Sequence, residues 1–283
     1  MLTTCLMGGM GNQMFQYAMG LASARRLGVG LQLDISWFNE WLKGKPDFPD
    51  WMVPRRYNLC LWEGVTEPTV DKVEPDDCLV ENGSYDNSLP ILDCCLTDGK
   101  RLVGYWQSEK YFLEMRQELL RIFRPKQPQT PRGARLMEMI SKEGPRSACL
   151  VVRGSDLGRQ YGITTPMEYY REACRRINEH TPDSHFFVFS NDVEMCKELF
   201  SVPYRFTITE ANDITTLAHL GREDEDLWAM RSCHNAVTVA SSYAWWGAWL
   251  SPIPDSERIV VAPKGWFSEA SARDGIPDRW MKL

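Results

Sequence analysis

"LMGGMGNQMFQYAMGLASARRLGVGLQLD", residues 6–34, decides the fold. Glycines Gly8, Gly9 and Gly11 stand between an apolar start and a long helical pattern. Residues 1–7 read as a short strand. Residues 12–27 read as a helix, because Met14, Tyr17, Ala18, Leu21, Ala24 and Leu27 recur at helical spacing, with Gly28 as the stop. "VGLQLDI" (29–35) is a second strand and completes a β-α-β unit. Such a crossover implies a parallel sheet whose functional loops lie at the carboxyl ends of its strands. The turn nearly matches the Gly-x-Gly-x-x-Gly nucleotide fingerprint. Gly9-x-Gly11 is followed by Met14 where the third glycine belongs, and the second strand ends in an acid, Asp34. A turn that presents Asn12 and Gln13 to another ligand reads equally well at this point.

The chain has 283 residues, enough for one large domain or two of about 130–150. It is 43% hydrophobic and 25% charged, a globular composition. A net charge of −6 argues against a nucleic-acid partner. No apolar run approaches the roughly 18–20 residues of a membrane-spanning helix, and the start does not read as a signal peptide. The nine cysteines form no C-x-x-C pair, and Cys94 and Cys95 are adjacent. Reduced thiols in a soluble cytoplasmic α/β protein are the expectation, with peripheral membrane contact left open.

Further along, residues 36–100 are irregular, with a short strand expected near Cys78–Glu81. "KRLVGYWQ" (100–107) reads as a strand, and 108–123 as a helix opened by Ser108. Pro125, Pro128 and Pro131 mark 124–133 as the linker, giving domains over 1–130 and 131–283. A helix over 134–142 follows. Strands are then expected over 147–153, 184–191, 204–209, 235–242 and 258–263. Helices are expected over 165–180, 192–200, 224–233 and 243–251.

Four strands in this pattern end in polar residues, the position at which open α/β sheets bind ligands. They lead into Gly8–Gln13, into Arg153, Gly154, Ser155 and Asp156, into Ser190, Asn191 and Asp192, and into Ser241 and Ser242. Arg153 is a fixed cation suited to phosphate oxygens. Ser241 and Ser242 open a helix, where hydroxyls and backbone N–H groups receive anions. Asp192 suits a guanine's ring N–H and amino group, or serves as a helix N-cap. His180, His185, His219 and His234 show no metal-ligand spacing, so no metal is expected. Trp245, Trp246 and Trp249 are core residues or, with Trp106, faces on which a sugar ring stacks. The acid run Glu223–Asp226 reads as a solvated helix start favoured by the macrodipole.

These stretches together resemble the α-1,2-fucosyltransferases of glycosyltransferase family 11, bacterial type. "GGMGNQMFQYAMG" (8–20) is similar to the family's N-terminal signature, "RRYNL" (55–59) to a short internal element, and "GYWQSEKYF" (104–112) to its GY-aromatic-Q segment. "FVFSND" (187–192), "DLWAMRSCHNAVTVASSYAWWGAWLS" (226–251) and "VVAPKGWF" (260–267) resemble its later blocks. The resemblance implies a GT-B fold, two Rossmann-like domains facing across a cleft. It also implies inverting, metal-independent transfer of L-fucose from GDP-L-fucose to the 2-hydroxyl of a terminal galactoside, with no cofactor. The acceptor would sit on the N-terminal side and the donor mainly on the C-terminal side. By position, Arg153 and Asp156 would be catalytic. Gly9, Gly11, Asn12, Gln13, Arg153, Asp192, Ser241 and Ser242 would hold the donor, and Trp106 and Gln107 are candidates for the acceptor. The chain departs from the family's His-x-Arg-Arg-Gly-Asp pattern at Val151 and Gly154, and from its Ala-Asn-Ser at Ala240. A catalytically degenerate relative that binds nucleotide or glycan without efficient turnover is the alternative.

Overall fold

The computed structural model describes residues 1–43, 55–71, 77–81, 95–153, 165–190, 196, 203–208, 222–265 and 275–283. The chain divides into two compact units. The first holds the described residues of 1–124 together with 275–277, and the second those of 125–267 and 278–283.

In the first unit, β1 (Leu2–Cys5), β2 (Leu31–Asp34), β3 (Thr69–Val70), β4 (Cys78–Val80) and β5 (Arg101–Val103) form a sheet in the order β3-β2-β1-β5-β4. Every pairing is parallel. Helix α1 (Met10–Leu27) joins β1 to β2 and is buried from Met10 to Ala24 except at Asn12, so it is a core element rather than a surface helix. It ends as the sequence predicts. Gly28 takes φ +67°, and its N–H closes on the carbonyls of Ala24 and Arg25. Helix α2 (Ser36–Lys43) follows β2. Asp34, buried at the end of β2, opens α2 by accepting from the Ser36 N–H at 2.9 Å and is ion-paired with Arg101. Its carboxylate therefore serves the fold rather than a ribose.

The helix expected over 108–123 is broken. Turns of 3-10 helix at Glu109–Tyr111 and Leu113–Met115 precede α3 (Arg116–Ile122). Ser108 caps the first turn as expected, accepting from Lys110 N at 3.3 Å. Phe112 then leaves helical geometry at φ −147° and buries its ring 5.9 Å from that of Phe15 on α1.

The second unit contains α4 (Pro131–Glu143), β6 (Ser147–Val152), α5 (Met167–His180), β7 (His185–Ser190) and β8 (Arg205–Ile208). It continues with α6 (Glu223–Ser232), β9 (Asn235–Val237), α7 (Ser242–Trp249), β10 (Val260–Ala262) and β11 (Met281–Lys282). The sheet is parallel throughout, in the order β11-β10-β9-β6-β7-β8. Counted from β6 as the first strand, this is the 3-2-1-4-5-6 order of a dinucleotide-binding sheet. The short β11 was not expected from the sequence, and the helix expected over 192–200 falls, apart from Cys196, outside the described residues.

Two expectations are corrected here. Helix α4 begins at Pro131 rather than 134, because a proline at the first helical position loses no hydrogen bond and Thr130 caps it, accepting from Gly133 N at 3.1 Å. The acids of α6 are not solvated. Asp224, Glu225 and Asp226 are buried. Glu225 accepts from the Thr130 N–H at 2.7 Å, Asp226 pairs with Arg132 at 2.9 Å, and Asp224 pairs with Arg222 at 3.2 Å. Burial pushes the Asp224 and Asp226 carboxyls up, and the two arginines oppose that rise. Trp245, Trp246 and Trp249 are fully buried, with Trp245 and Trp249 stacked at 5.6 Å, so they are core and offer no sugar platform.

Candidate functional site

The second sheet reverses strand order once, between β6 and β9, and such reversals are where α/β sheets receive ligands. The first sheet runs β3-β2-β1 and then β5-β4 in the same sense, so β1 and β5 are neighbours without a reversal. The described sequence-predicted residues follow the carboxyl ends of these four strands.

In the first unit the chain leaves β1 through Gly8, whose φ of +76° is open to glycine at little cost. A Cβ there would also stand 2.7 Å from Asn12 Nδ2, so the turn closes on the Asn12 side chain. Gly9 is the N-cap of α1 and makes no side-chain cap, and no acid lies in the first turn. The carbonyl of Gly9 instead accepts from Asn12 N and Gln13 N at 3.0 and 3.1 Å. Arg55 lies over this glycine, with Nη1 3.2 Å from where its Cβ would be.

Gln13 is wholly buried. Its Nε2 donates to the carbonyls of Gly8 and Arg56 at 3.0 and 2.8 Å, and its Oε1 accepts from Asn58 N at 2.8 Å. It stitches the turn to the "RRYNL" segment and presents no polar group outward. Asn12 is the partly exposed member of the pair, and its Oδ1 accepts from Gln107 Nε2 at 2.8 Å. A side chain expected on the donor and one expected on the acceptor thus meet across the β1–β5 pair. The Trp106 ring is 1% exposed and packs edge-on to Tyr111 at 5.6 Å. The structure thus puts the ring in the interior, where no sugar can stack on it; its neighbour Tyr105 is exposed.

In the second unit Arg153 directly follows β6, and Ser241 and Ser242 follow β9, its paired neighbour. Ser241 caps α7, its Oγ accepting from Ala244 N at 3.5 Å. That bond uses the oxygen's lone pair and leaves the hydroxyl hydrogen to donate. The amides of Ser242 and Tyr243 have no partner among the described residues, as expected for a helix first turn. Two adjacent tyrosines on α5 hold this end of the sheet. The Tyr169 hydroxyl donates to the carbonyl of Thr238 at 2.6 Å, with that of Val261 at 3.3 Å, and the Tyr170 hydroxyl accepts from Arg153 N at 3.4 Å. Burial pushes the Tyr170 hydroxyl up to about 12 and raises that of Tyr169 as well, so both remain protonated at neutral pH. Val151 and Ala240, two of the departures noted above, are buried apolar residues beside this end of the sheet. Asp156, Asp192 and Gly154 lie outside the described residues.

Sequence reasoning passed over Arg55, Glu81 and the tyrosine pair as site residues. Arg55 had a signal, since it opens the quoted "RRYNL". Glu81 directly follows β4 and meets the same strand-end criterion as Arg153. The tyrosines carry none, because a helix pattern does not show which strand ends it will touch. Among the described residues no group of His, Cys, Asp or Glu is arranged to hold a metal ion, and no helix is long and apolar enough to cross a membrane.

Two α/β units, each built on a parallel sheet with polar side chains at the carboxyl ends of its strands, have the make-up expected of the GT-B class of glycosyltransferases. The chain belongs to glycosyl transferase family 11, whose pattern matches residues 99–278. It is 26% identical over 290 residues to an α-1,2-colitosyltransferase of Escherichia coli, covering 98% of this chain and 97% of that protein. It is also 26% identical over 315 residues to the O-antigen biosynthesis glycosyltransferase WbnK of Escherichia coli, covering 99% of each. A solved structure, the NodZ α-1,6-fucosyltransferase soaked with GDP-fucose, superposes with a TM-score of 0.48 at 12% identity, covering 89% of this chain and 92% of that one.

Proposed function

We propose that this glycosyltransferase moves L-fucose from GDP-L-fucose to the 2-hydroxyl of a terminal galactoside, with inversion and without a metal. The reading is carried by the pairing of β6 with β9, which sets Arg153 beside the Ser241–Ser242 helix start at the strand reversal of the second unit. A fixed cation, hydroxyl donors and first-turn amides at one strand reversal suit a diphosphate.

In the reaction the bond from the anomeric carbon to the β-phosphate oxygen breaks, and a bond from that carbon to the acceptor oxygen forms. The bonding pair leaves with GDP. Arg153 and the head of α7 meet the charge that develops on the phosphate, and preorganised donors of this kind commonly carry a large share of catalysis. Asp156 accepts the acceptor's hydroxyl proton, and Asp192 pairs with the guanine edge. Asn12 and Gln107 form the polar face of the first unit, with Gly9 and Gly11 letting backbone approach the ligand. The partners are GDP-fucose and a galactose-terminated oligosaccharide, in the cytoplasm.

The name of the first Escherichia coli relative supports a second donor, a colitosyl nucleotide, for the same site. Arg153→Ala tests the assignment. Its turnover in transfer of radiolabelled fucose to lactose should fall on the order of 100–1,000-fold, the usual effect of removing one such donor. Wild-type turnover in that variant would refute the role. Absence of transfer by the wild-type chain, with GDP still raising its melting temperature, would favour the degenerate reading.

A further inference from the structure

The turn that carries Gln107 is strained, and one carboxylate holds it. Trp106 has φ +53°, a left-handed conformation that is unfavourable for a bulky residue. Its indole is buried, so the strained residue cannot relax outward. The amides of Tyr105 and Trp106 converge on a single oxygen, Glu81 Oε2, at 2.7 and 3.0 Å. Consecutive N–H groups that converge in this way form a concave nest for an anionic oxygen. The Trp106 carbonyl then accepts from Ser108 N at 2.8 Å, which tightens the turn and sends Gln107 toward Asn12. Gly104 admits the arrangement, because a Cβ there would lie 2.4 Å from Glu81 Cβ.

Glu81 stands at the carboxyl end of β4, beside the strand that delivers the turn, and reaches no reacting atom in the mechanism above. We propose that Glu81 is a positioning residue: its carboxylate fixes the 104–107 turn so that Gln107 meets Asn12 and the acceptor face of the first unit is preformed. The proposal rests on the acceptor binding at that face.

The test compares Glu81→Ala with Glu81→Gln in the full chain, by amide hydrogen exchange of the peptide over 104–112 and by steady-state transfer to lactose. Loss of two hydrogen bonds to a charged acceptor should raise exchange in that peptide, and the KM for lactose, by about tenfold or more in the Ala variant. The kcat and the KM for GDP-fucose should stay within about twofold, since the Arg153 end of the second unit is untouched. Glu81→Gln keeps an acceptor oxygen and should restore both readouts. If the Ala variant does not fold, Glu81→Asp, which shortens the carboxylate's reach by one methylene, carries the same expectations. Unchanged exchange, a Gln variant as impaired as Ala, or equal changes in both KM values would overturn the proposal. If the wild-type chain transfers no fucose, the functional reading fails while the exchange arm still decides the role of Glu81 in the turn.

Discussion

The heads of α1 and α7 each follow a parallel strand of their unit's sheet, β1 and β9, yet their polar residues are spent differently. At α1 the turn is bonded inward. Gln13 is consumed by Gly8, Arg56 and Asn58, and Asn12 by Gln107, while the N-cap Gly9 brings no side chain. At α7 the cap is a serine, whose oxygen closes the helix and whose hydrogen is still available to donate. A helix head stitched to its own unit builds a rigid wall. One capped by a hydroxyl, beside an arginine on the paired strand, is arranged to receive an anion.

The comparison breaks most readily at Gln13. Gln13→Ala removes three hydrogen bonds from a buried side chain, those to the Gly8 and Arg56 carbonyls and from the Asn58 N–H, so about 3 kcal/mol of stability should be lost in urea unfolding. The affinity of the folded variant for GDP should change little. A stable variant with weakened GDP binding would reverse the assignment of wall and anion seat.

Ser241→Ala sharpens the other side. Loss of the cap should cost about 0.5–1 kcal/mol in thermal melts, toward the low end of cap substitutions because the bond is long. The KM for GDP-fucose should rise about threefold to tenfold as the donated hydrogen bond to phosphate is lost. A melting shift with unchanged KM would leave Ser241 a cap alone.

The smallest expected effect lies away from both heads. Glu143, at the end of α4, accepts hydrogen bonds from Arg205 and from His185, the first residue of β7. The hydrogen bond to the Arg205 guanidinium, outweighing the cost of burial, holds the Glu143 carboxyl down at about 2 against an ordinary 4.5. Its folded pKa is depressed, so its contribution is complete above about pH 4.5 and is lost as pH falls toward 2. Glu143→Gln should therefore melt lower than the wild type at pH 6, and the gap should narrow on acidification. A gap independent of pH would show that the pair adds nothing.

Much of the fold was legible because strand and helix periods differ and the chain obeys both. The β1-α1-β2 unit, its Gly28 stop and the strands of the second sheet follow from patterning that burial enforces. Phe112 was not legible, since leaving helical geometry to meet Phe15 is a tertiary choice. The acids of α6 look like a solvated start in isolation, and only the arrival of Thr130 and Arg132 explains their burial. At the candidate site, strand ends were readable one by one. That Asn12 would bond to Gln107, that Gln13 would turn inward and that Trp106 would be buried depended on partners nearly a hundred or dozens of residues away.

The second unit's strand reversal is proposed to hold a GDP-linked fucose for transfer to galactose. Incubating the wild-type chain with GDP-fucose and lactose, with metal chelated, and determining the linkage of the product tests it most directly. The expected result is a trisaccharide with fucose linked α-1,2 to galactose and loss of that product in Arg153→Ala. Another linkage, a requirement for metal, or full product from the Arg153 variant would contradict it.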